Sequence, residues 1–202
     1  MIFETKRLIL RPWQESDAHS LYEYARSDKI GPAAGWPVHT SVEESLKIIK
    51  TVLSAPETYA VLDKASMCAI GSVGLMIGSA ANIDLPDNQA EIGYWIGQPY
   101  WGRGLIPEAV RELLRYAFCE LNLEKVWCSY FEGNTKSKRV QEKCGFEYRY
   151  TDKKYYVKPL GEERTLHVTC ITKESRRRQN SLPETLEKEF NNNIKIEHLN
   201  KS

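Results

Sequence analysis

The sequence predicts an α/β sandwich built on a mixed sheet. Three observations lead there. Segments of strand-like alternation and of helical spacing succeed one another as strand, two helices, three strands, helix, strand, helix and two strands. Runs of consecutive strands ask for antiparallel pairing, and single helices between strands ask for crossovers. The chain has 202 residues, 42% of them hydrophobic, enough to bury a core without disulfides or metals.

Each element has its own signal. Residues 7–13 read R-L-I-L-R-P-W, set Leu8 and Leu10 against Arg7, Ile9 and Arg11, and stop as a strand at Pro12. Ser16 and Asp17 open a helix with Leu21, Tyr22 and Ala25 on one face. Residues 28–39 hold Gly31, Pro32, Gly35 and Pro37, so they form a loop with Trp36 near its tip. Ser41 and Glu44 make a capping box, and Leu46, Ile49, Val52 and Leu53 give the second helix its apolar stripe. Residues 58–62, 68–77 and 90–96 read as strands, with a turn at 86–88. Pro107 suits the first turn of a helix in which Val110, Leu113, Leu114, Ala117, Phe118 and Leu121 recur. A strand at 126–131, a short helix at 134–144 closed by Gly145, and strands at 146–157 and 164–172 complete the body. Composition changes at Ser175. Residues 1–174 are therefore one domain, and 175–202 a tail, partly helical or mobile, that opens on Arg176-Arg177-Arg178.

Composition excludes several function classes. The chain has 28 Lys+Arg against 27 Asp+Glu, so no chain-wide basic coat for nucleic acid exists. The tail carries six Lys+Arg against four Glu, which leaves the body faintly acidic. Residues 65–83 are 19 positions without charge, but Gly71, Gly74, Gly78 and several Ser and Asn dilute them too far for a membrane span. The N-terminus has no signal-peptide pattern, and five cysteines show no paired spacing. Together these predict reduced thiols in a cytoplasmic protein. The four histidines have no ligand spacing, so no metal site is expected.

The chemistry concentrates between Glu91 and Phe146. A strand ending at Ile96 runs into Trp101-Gly102-Arg103-Gly104-Leu105-Ile106, which opens a helix. Unsatisfied N–H groups at a helix start, at the positive end of its dipole, form an anion site, and glycines let a phosphate come close. No Gly-Lys-Ser/Thr follows and the third Rossmann glycine is absent. Taken alone, this Gly-x-Gly is weak evidence and reads more readily as an ordinary tight turn.

Four ordered motifs take the reading further. They are R-L-I-L-R-P-W at 7–13, E-I-G-Y-W-I at 91–96, W-G-R-G-L-I at 101–106, and N-T-K-S at 134–137 followed by K-C-G-F at 143–146. Over residues 3–173 they resemble the GNAT superfamily of acyl-CoA-dependent N-acetyltransferases, nearest its ribosomal-protein N-terminal alanine/serine branch. The resemblance implies a mixed, mostly antiparallel sheet with a splayed strand pair, flanked by helices on both faces. It implies acetyl-CoA as co-substrate and a primary amine as acceptor, either a protein N-terminus or a small molecule. Backbone amides of Gly102, Arg103, Gly104, Leu105 and Ile106, preceded by Trp101, would hold the coenzyme's diphosphate. Ile106 stands where the family usually has Gly or Ala. Tyr94 would offer its N–H to the thioester carbonyl, Ile96 would pair with the pantetheine amides, and Asn134 would bind pantetheine from the other side. Gln141 stands where many relatives carry a tyrosine acid, and Ser137 matches the serine of the ribosomal branch.

The resemblance further implies direct attack in a ternary complex. Glu91 would be the base, Tyr94 the oxyanion donor through its amide, and Ser137 the proton donor with a coenzyme contact of its own. Glu91 and Trp36 would line the acceptor site, whose identity rests in loops 28–39 and 80–89. Each residue has a plainer role as well. Glu91 fits a solvent-facing strand position, Ser137 a helix cap, and Lys136, Lys138, Arg139 and Lys143 a solvated face with one or two reaching phosphates. Cys128 and Cys144 read as small buried hydrophobes. A non-catalytic acyl-CoA-binding or interaction module of the same fold is the alternative. A nucleic-acid or ribosome contact by the arginine tail is a third reading, although the body implies no nucleic-acid or membrane partner. Monomer and homodimer are both open.

Overall fold

A computed structural model describes residues 1–181. The expected tail enters it only through residues 175–181, and 182–202 lie outside the described residues. The strands are β1 (Phe3–Glu4), β2 (Leu8–Pro12), β3 (Thr58–Asp63), β4 (Ala69–Ile77), β5 (Gln89–Ile96), β6 (Lys125–Phe131), β7 (Glu147–Val157) and β8 (Glu162–Thr172). The helices are α1 (Ala18–Ala25), α2 (Gly31–Ala34), α3 (Val42–Thr51), α4 (Leu105–Cys119), α5 (Thr135–Lys143) and α6 (Lys173–Ser181).

The strands form one sheet in the order β1-β2-β3-β4-β5-β6-β8-β7. All neighbours pair antiparallel except β5 and β6, which run parallel because α4 crosses between them. The mixed α/β class therefore holds. Two elements escape the sequence pattern. β1 is two residues long, too short to show alternation, and α2 forms inside the Gly/Pro-rich loop. The start of α1 also differs. A 3-10 turn at Glu15–Asp17 precedes it, and Asp17 accepts from the Gln14 N–H at 2.9 Å and from both terminal nitrogens of Arg11.

Each face of the sheet buries its own apolar cluster. On one face, Ile92, Ile96, Val73 and Leu75 pack against Ile106, Val110, Leu113 and Leu114 of α4. Leu113 and Leu114 are fully buried, and truncating either to Ala costs ~2–5 kcal/mol. On the other face, Trp13, Ala60 and Leu62 pack against Leu21 of α1 and Ile49 of α3. Ser41 accepts from the Glu44 N–H at 3.1 Å, as its capping position requires.

The feature that positions the site is a short pairing. β5 and β6 pair only at Gln89–Lys125, Ala90–Val126 and Glu91–Trp127. Beyond Glu91, β5 stays on β4 while β6 stays on β8, so the two strands part.

Candidate active site

The open edge of β5 has a definite chemistry. The Gly97 N–H donates to the Ile70 carbonyl at 2.8 Å, and the register runs unbroken from Ala90 to Ile96. In an antiparallel ladder, successive residues turn their N–H groups to alternate sides. Glu91, Gly93 and Trp95 therefore direct theirs to β4. Tyr94 and Ile96 direct theirs into the gap that β6 has left. The Ile96 carbonyl on that side accepts from the Trp101 indole N–H at 2.9 Å. Trp101 thus holds the strand-to-helix turn to the edge and leaves the Ile96 amide facing the gap.

The turn itself needs its glycines. Gly102 and Gly104 have φ of +73° and +72°, a region where a Cβ is strained. A Cβ at Gly102 would meet nothing within 4 Å, so the space above the turn is open. Gly104 is the N-cap of α4 and supplies no side-chain partner to the first-turn N–H groups. Pro107 has no N–H to satisfy. Ile106 is buried in the α4 cluster, so its bulk points into the core and not over the turn. Arg103 stacks on Tyr100 at 5.4 Å, and Lys136 lies 4.4 Å from the Trp101 ring.

Side chains from both faces of the sheet converge on the same gap. Glu91 and Tyr94 differ by an odd number along β5, so they project from opposite faces. Glu91 is 4% exposed, which removes the solvent-facing reading. Its Oε2 accepts from the Asn82 N–H at 2.8 Å and the Asn82 Nδ2 at 3.1 Å, and its Oε1 accepts from the Ser129 hydroxyl at 3.2 Å. Burial raises its pKa above the ordinary carboxylate value, and these hydrogen bonds only partly oppose the rise.

On the other face, the Tyr94 phenol lies 3.0 Å from the Ser137 hydroxyl and donates to the Ser137 carbonyl at 3.2 Å. Burial pushes that phenol well above its usual range, so it stays protonated. Gln141, fully buried, is saturated. Its Nε2 donates to the Ser129 carbonyl at 3.0 Å and to the Ser137 hydroxyl at 3.2 Å, and its Oε1 accepts from Thr169 at 2.8 Å. Because Gln141 donates to Ser137, the serine's own proton is left for another acceptor. Cys128 and Cys144 are buried, and burial raises both thiols, Cys144 to about 11.

Asn134 caps α5: its Oδ1 accepts from the Ser137 N–H at 3.1 Å. Its Nδ2 donates to the Ala33 carbonyl of α2 at 3.2 Å. The 28–39 loop therefore spans the mouth of the gap, and Arg164 of β8 holds its Pro32 carbonyl. Trp36 packs edge-on against Trp95 at 6.0 Å, on the Glu91 face.

The structure thus brings Glu91, Tyr94, Ile96, Trp101, the 102–106 turn and Ser137 to one gap. Sequence reasoning missed Asn82, Ser129, Gln141 and Thr169 as its supports. They come from four separate segments, and only the S-K-R-V-Q spacing of Ser137 and Gln141, one helical turn apart, hints at a pair. Arg176 and Arg177 lie elsewhere. With Arg7, Arg111, Arg115 and Lys173, and with Glu108 and Glu112 among them, they line a surface groove of about 750 Å³ between α4 and α6 that reaches the turn at Gly104. Among the described residues no group of His, Cys, Asp and Glu is arranged to hold a metal, and no helix is long and apolar enough to cross a membrane.

Comparisons with known proteins meet this geometry. The family model described as an acetyltransferase (GNAT) domain matches residues 7–147. The chain is 46% identical over 76 residues to YdaF of Bacillus subtilis (strain 168), named as a ribosomal N-acetyltransferase. That match spans 38% of the chain and 41% of the relative's length. The fold superposes on a GNAT-family acetyltransferase of Bacillus anthracis with a TM-score of 0.75, at 21% identity, over 86% of this chain and 99% of that one. It also superposes on the microcin C7 self-immunity acetyltransferase MccE, solved with acetyl-CoA and AMP. There the TM-score is 0.70 at 19% identity, over 83% of this chain and 93% of that one.

Proposed function

The chain belongs to the GNAT acetyltransferase family, and from that premise we propose that it acetylates the N-terminal amine of a protein by direct attack on acetyl-CoA. One observation carries the proposal. Glu91 and Ser137 stand on opposite faces of β5, beside the free amide edge of Tyr94 and Ile96. An amine can then approach the thioester from one face while the sulfur departs on the other.

In this reading, pantetheine lies along the open edge of β5 and pairs with Ile96. The diphosphate meets the amides of Gly102 to Ile106, and Asn134 borders the pantetheine arm from α5. Trp36 and Glu91 line the acceptor side. Glu91 takes the proton of the incoming ammonium, directly or through one water. A carboxylate whose pKa is raised by burial is the stronger base for that step. The amine nitrogen then bonds to the carbonyl carbon, and the carbonyl electrons move onto oxygen, facing the Tyr94 N–H. When those electrons return, the C–S bond breaks and the sulfur leaves with the pair. The Ser137 hydroxyl, oriented by Gln141, gives its proton to that sulfur; the acetylated nitrogen sheds its second proton through solvent, which restores the serine hydroxyl. The name of YdaF supports a protein acceptor over a small amine.

A thiol-release assay with acetyl-CoA tests the acceptor. Peptides beginning with Ala or Ser should release coenzyme A faster than polyamines, amino acids or aminoglycosides. Release confined to the small amines would refute the protein acceptor.

A further inference from the structure

The opening motif R-L-I-L-R-P-W has no part in the chemistry above, yet its first residue reaches the coenzyme turn. Arg7 sits at the entry to β2, about a hundred residues before the turn. Its Nη1 donates to the Arg103 carbonyl at 2.9 Å, and its Nη2 to the Gly104 carbonyl at 3.2 Å. The guanidinium is itself held. Its Nε and Nη2 each lie 2.7 Å from Glu108 Oε2, and the Arg7 backbone N–H donates to Glu108 Oε1 at 2.8 Å. Thr5 adds a bond to the same oxygen at 2.6 Å. Burial alone would raise the Glu108 pKa, but the bonds from Thr5 and Arg7 outweigh it and hold the carboxyl low.

Peptide geometry converts these contacts into a direction. In a trans peptide the C=O and the following N–H point opposite ways, and no cis bond occurs among the described residues. The peptide of Arg103 therefore aims the Gly104 N–H away from Arg7. The peptide of Gly104 does the same for the Leu105 N–H. Both glycines of the turn sit at positive φ, where a glycine peptide is otherwise free to rotate. A fork with two donors in one plane suits the task, and a single ammonium does not.

We propose that Arg7 is a positioning residue for the coenzyme: by gripping the Arg103 and Gly104 carbonyls it aims the Gly104 and Leu105 amides at the diphosphate. This rests on the reading of the turn as the diphosphate site. Arg7 touches no reacting atom, so its loss acts on donor binding and not on proton transfer.

The test compares two acetyl donors, acetyl-CoA and acetylpantetheine, which lacks the diphosphate. The wild-type enzyme should prefer acetyl-CoA. Arg7→Met should lower kcat/KM for acetyl-CoA about tenfold through KM, the scale of one net hydrogen bond. For acetylpantetheine the change should stay within about twofold. Arg7→Lys should fall between, and Glu108→Gln should shift the same ratio less. If Arg7→Met does not fold by thermal melting, Arg7→Lys and Glu108→Gln make the same comparison. Equal losses on both donors would mean that Arg7 supports only the fold, and no loss on acetyl-CoA would mean that the turn holds itself; either overturns the proposal. A wild type without preference for acetyl-CoA would instead overturn the diphosphate reading beneath it.

Discussion

The two halves of the site are made of different material. The donor half, from Tyr94 to Ile106, presents backbone: amides on an unpaired edge, two glycines at positive φ and a helix start. The proton-transfer half presents side chains: Glu91, Asn82, Ser129, Ser137, Gln141 and Thr169, drawn from three strands, one helix and a loop. Backbone donors are set by strand register and torsion, so a side-chain exchange removes none of them, although one at Arg7 can misaim those of the turn. Side-chain groups are removed one at a time. The first half should therefore yield to mutations that alter geometry, and the second to mutations that alter one functional group.

Glu91→Gln should break this contrast most sharply. Turnover should fall by about 10²–10⁴-fold, the range for loss of a general base, while coenzyme A affinity by calorimetry stays the same. In the wild type, kcat/KM should climb as pH rises through the raised Glu91 pKa, because the base works only when deprotonated. The variant should lose that limb. The same shift has a stability consequence of the opposite direction. A folded carboxyl with a raised pKa contributes stability below its unfolded pKa, and this is lost as pH rises through the folded value. Glu91→Gln should therefore melt with a smaller decline over that window.

Ser137→Ala comes next. Turnover should fall about tenfold, with little change in the acceptor KM. Unaltered turnover would reduce Ser137 to a structural role. Gln141→Leu removes three hydrogen bonds and takes the side-chain donor from the Ser129 carbonyl, while the Thr169 hydroxyl keeps the Cys128 carbonyl at 3.1 Å. It should cost ~1–3 kcal/mol by thermal or urea melting and lower turnover a further small factor, since Ser137 loses its orientation. A variant with normal turnover would show that Gln141 only fills space.

Asn134→Ala is the mildest, and it sharpens the boundary between the halves. Loss of the α5 cap should cost ~1 kcal/mol, and loss of the bond to Ala33 should loosen the loop over the gap. Coenzyme affinity should weaken modestly, and unchanged affinity would remove Asn134 from the donor site.

The same contrast explains what could be read from the sequence. The strands from β2 to β8, the Ser41 cap and the α4 stripe follow from local sequence signals, but Glu44 does not close the expected box on Ser41 and instead accepts from the Thr40 N–H at 2.6 Å. The Trp101–Ile106 turn is contiguous, so its glycines and its position between strand and helix are visible in one stretch. β1 is too short for any period. α2 forms where Pro32 stands at the helix start and Gly31 lies against Trp36 of the same loop, a close contact that neither alternation nor helical spacing shows. Glu91 reads equally as a surface or a buried carboxylate until Asn82, nine residues earlier, folds back onto it. Gln141 reads as a missing acid, and only burial beside Ser129 and Thr169 turns it into a fixed support. Ile106 reads as an obstruction, but helix phase turns it into the core.

The central claim is that alternate amides of β5 face an open gap and receive the coenzyme. Amide NMR of the ¹⁵N-labelled protein titrated with coenzyme A tests it directly. The account predicts shifts at Tyr94, Ile96, Gly102, Gly104 and Leu105, with much smaller shifts at Glu91, Gly93 and Trp95, whose N–H groups are spent on β4. Shifts without that alternation, or confined to Arg111, Arg115, Lys173 and their neighbours in the groove between α4 and α6, would contradict it.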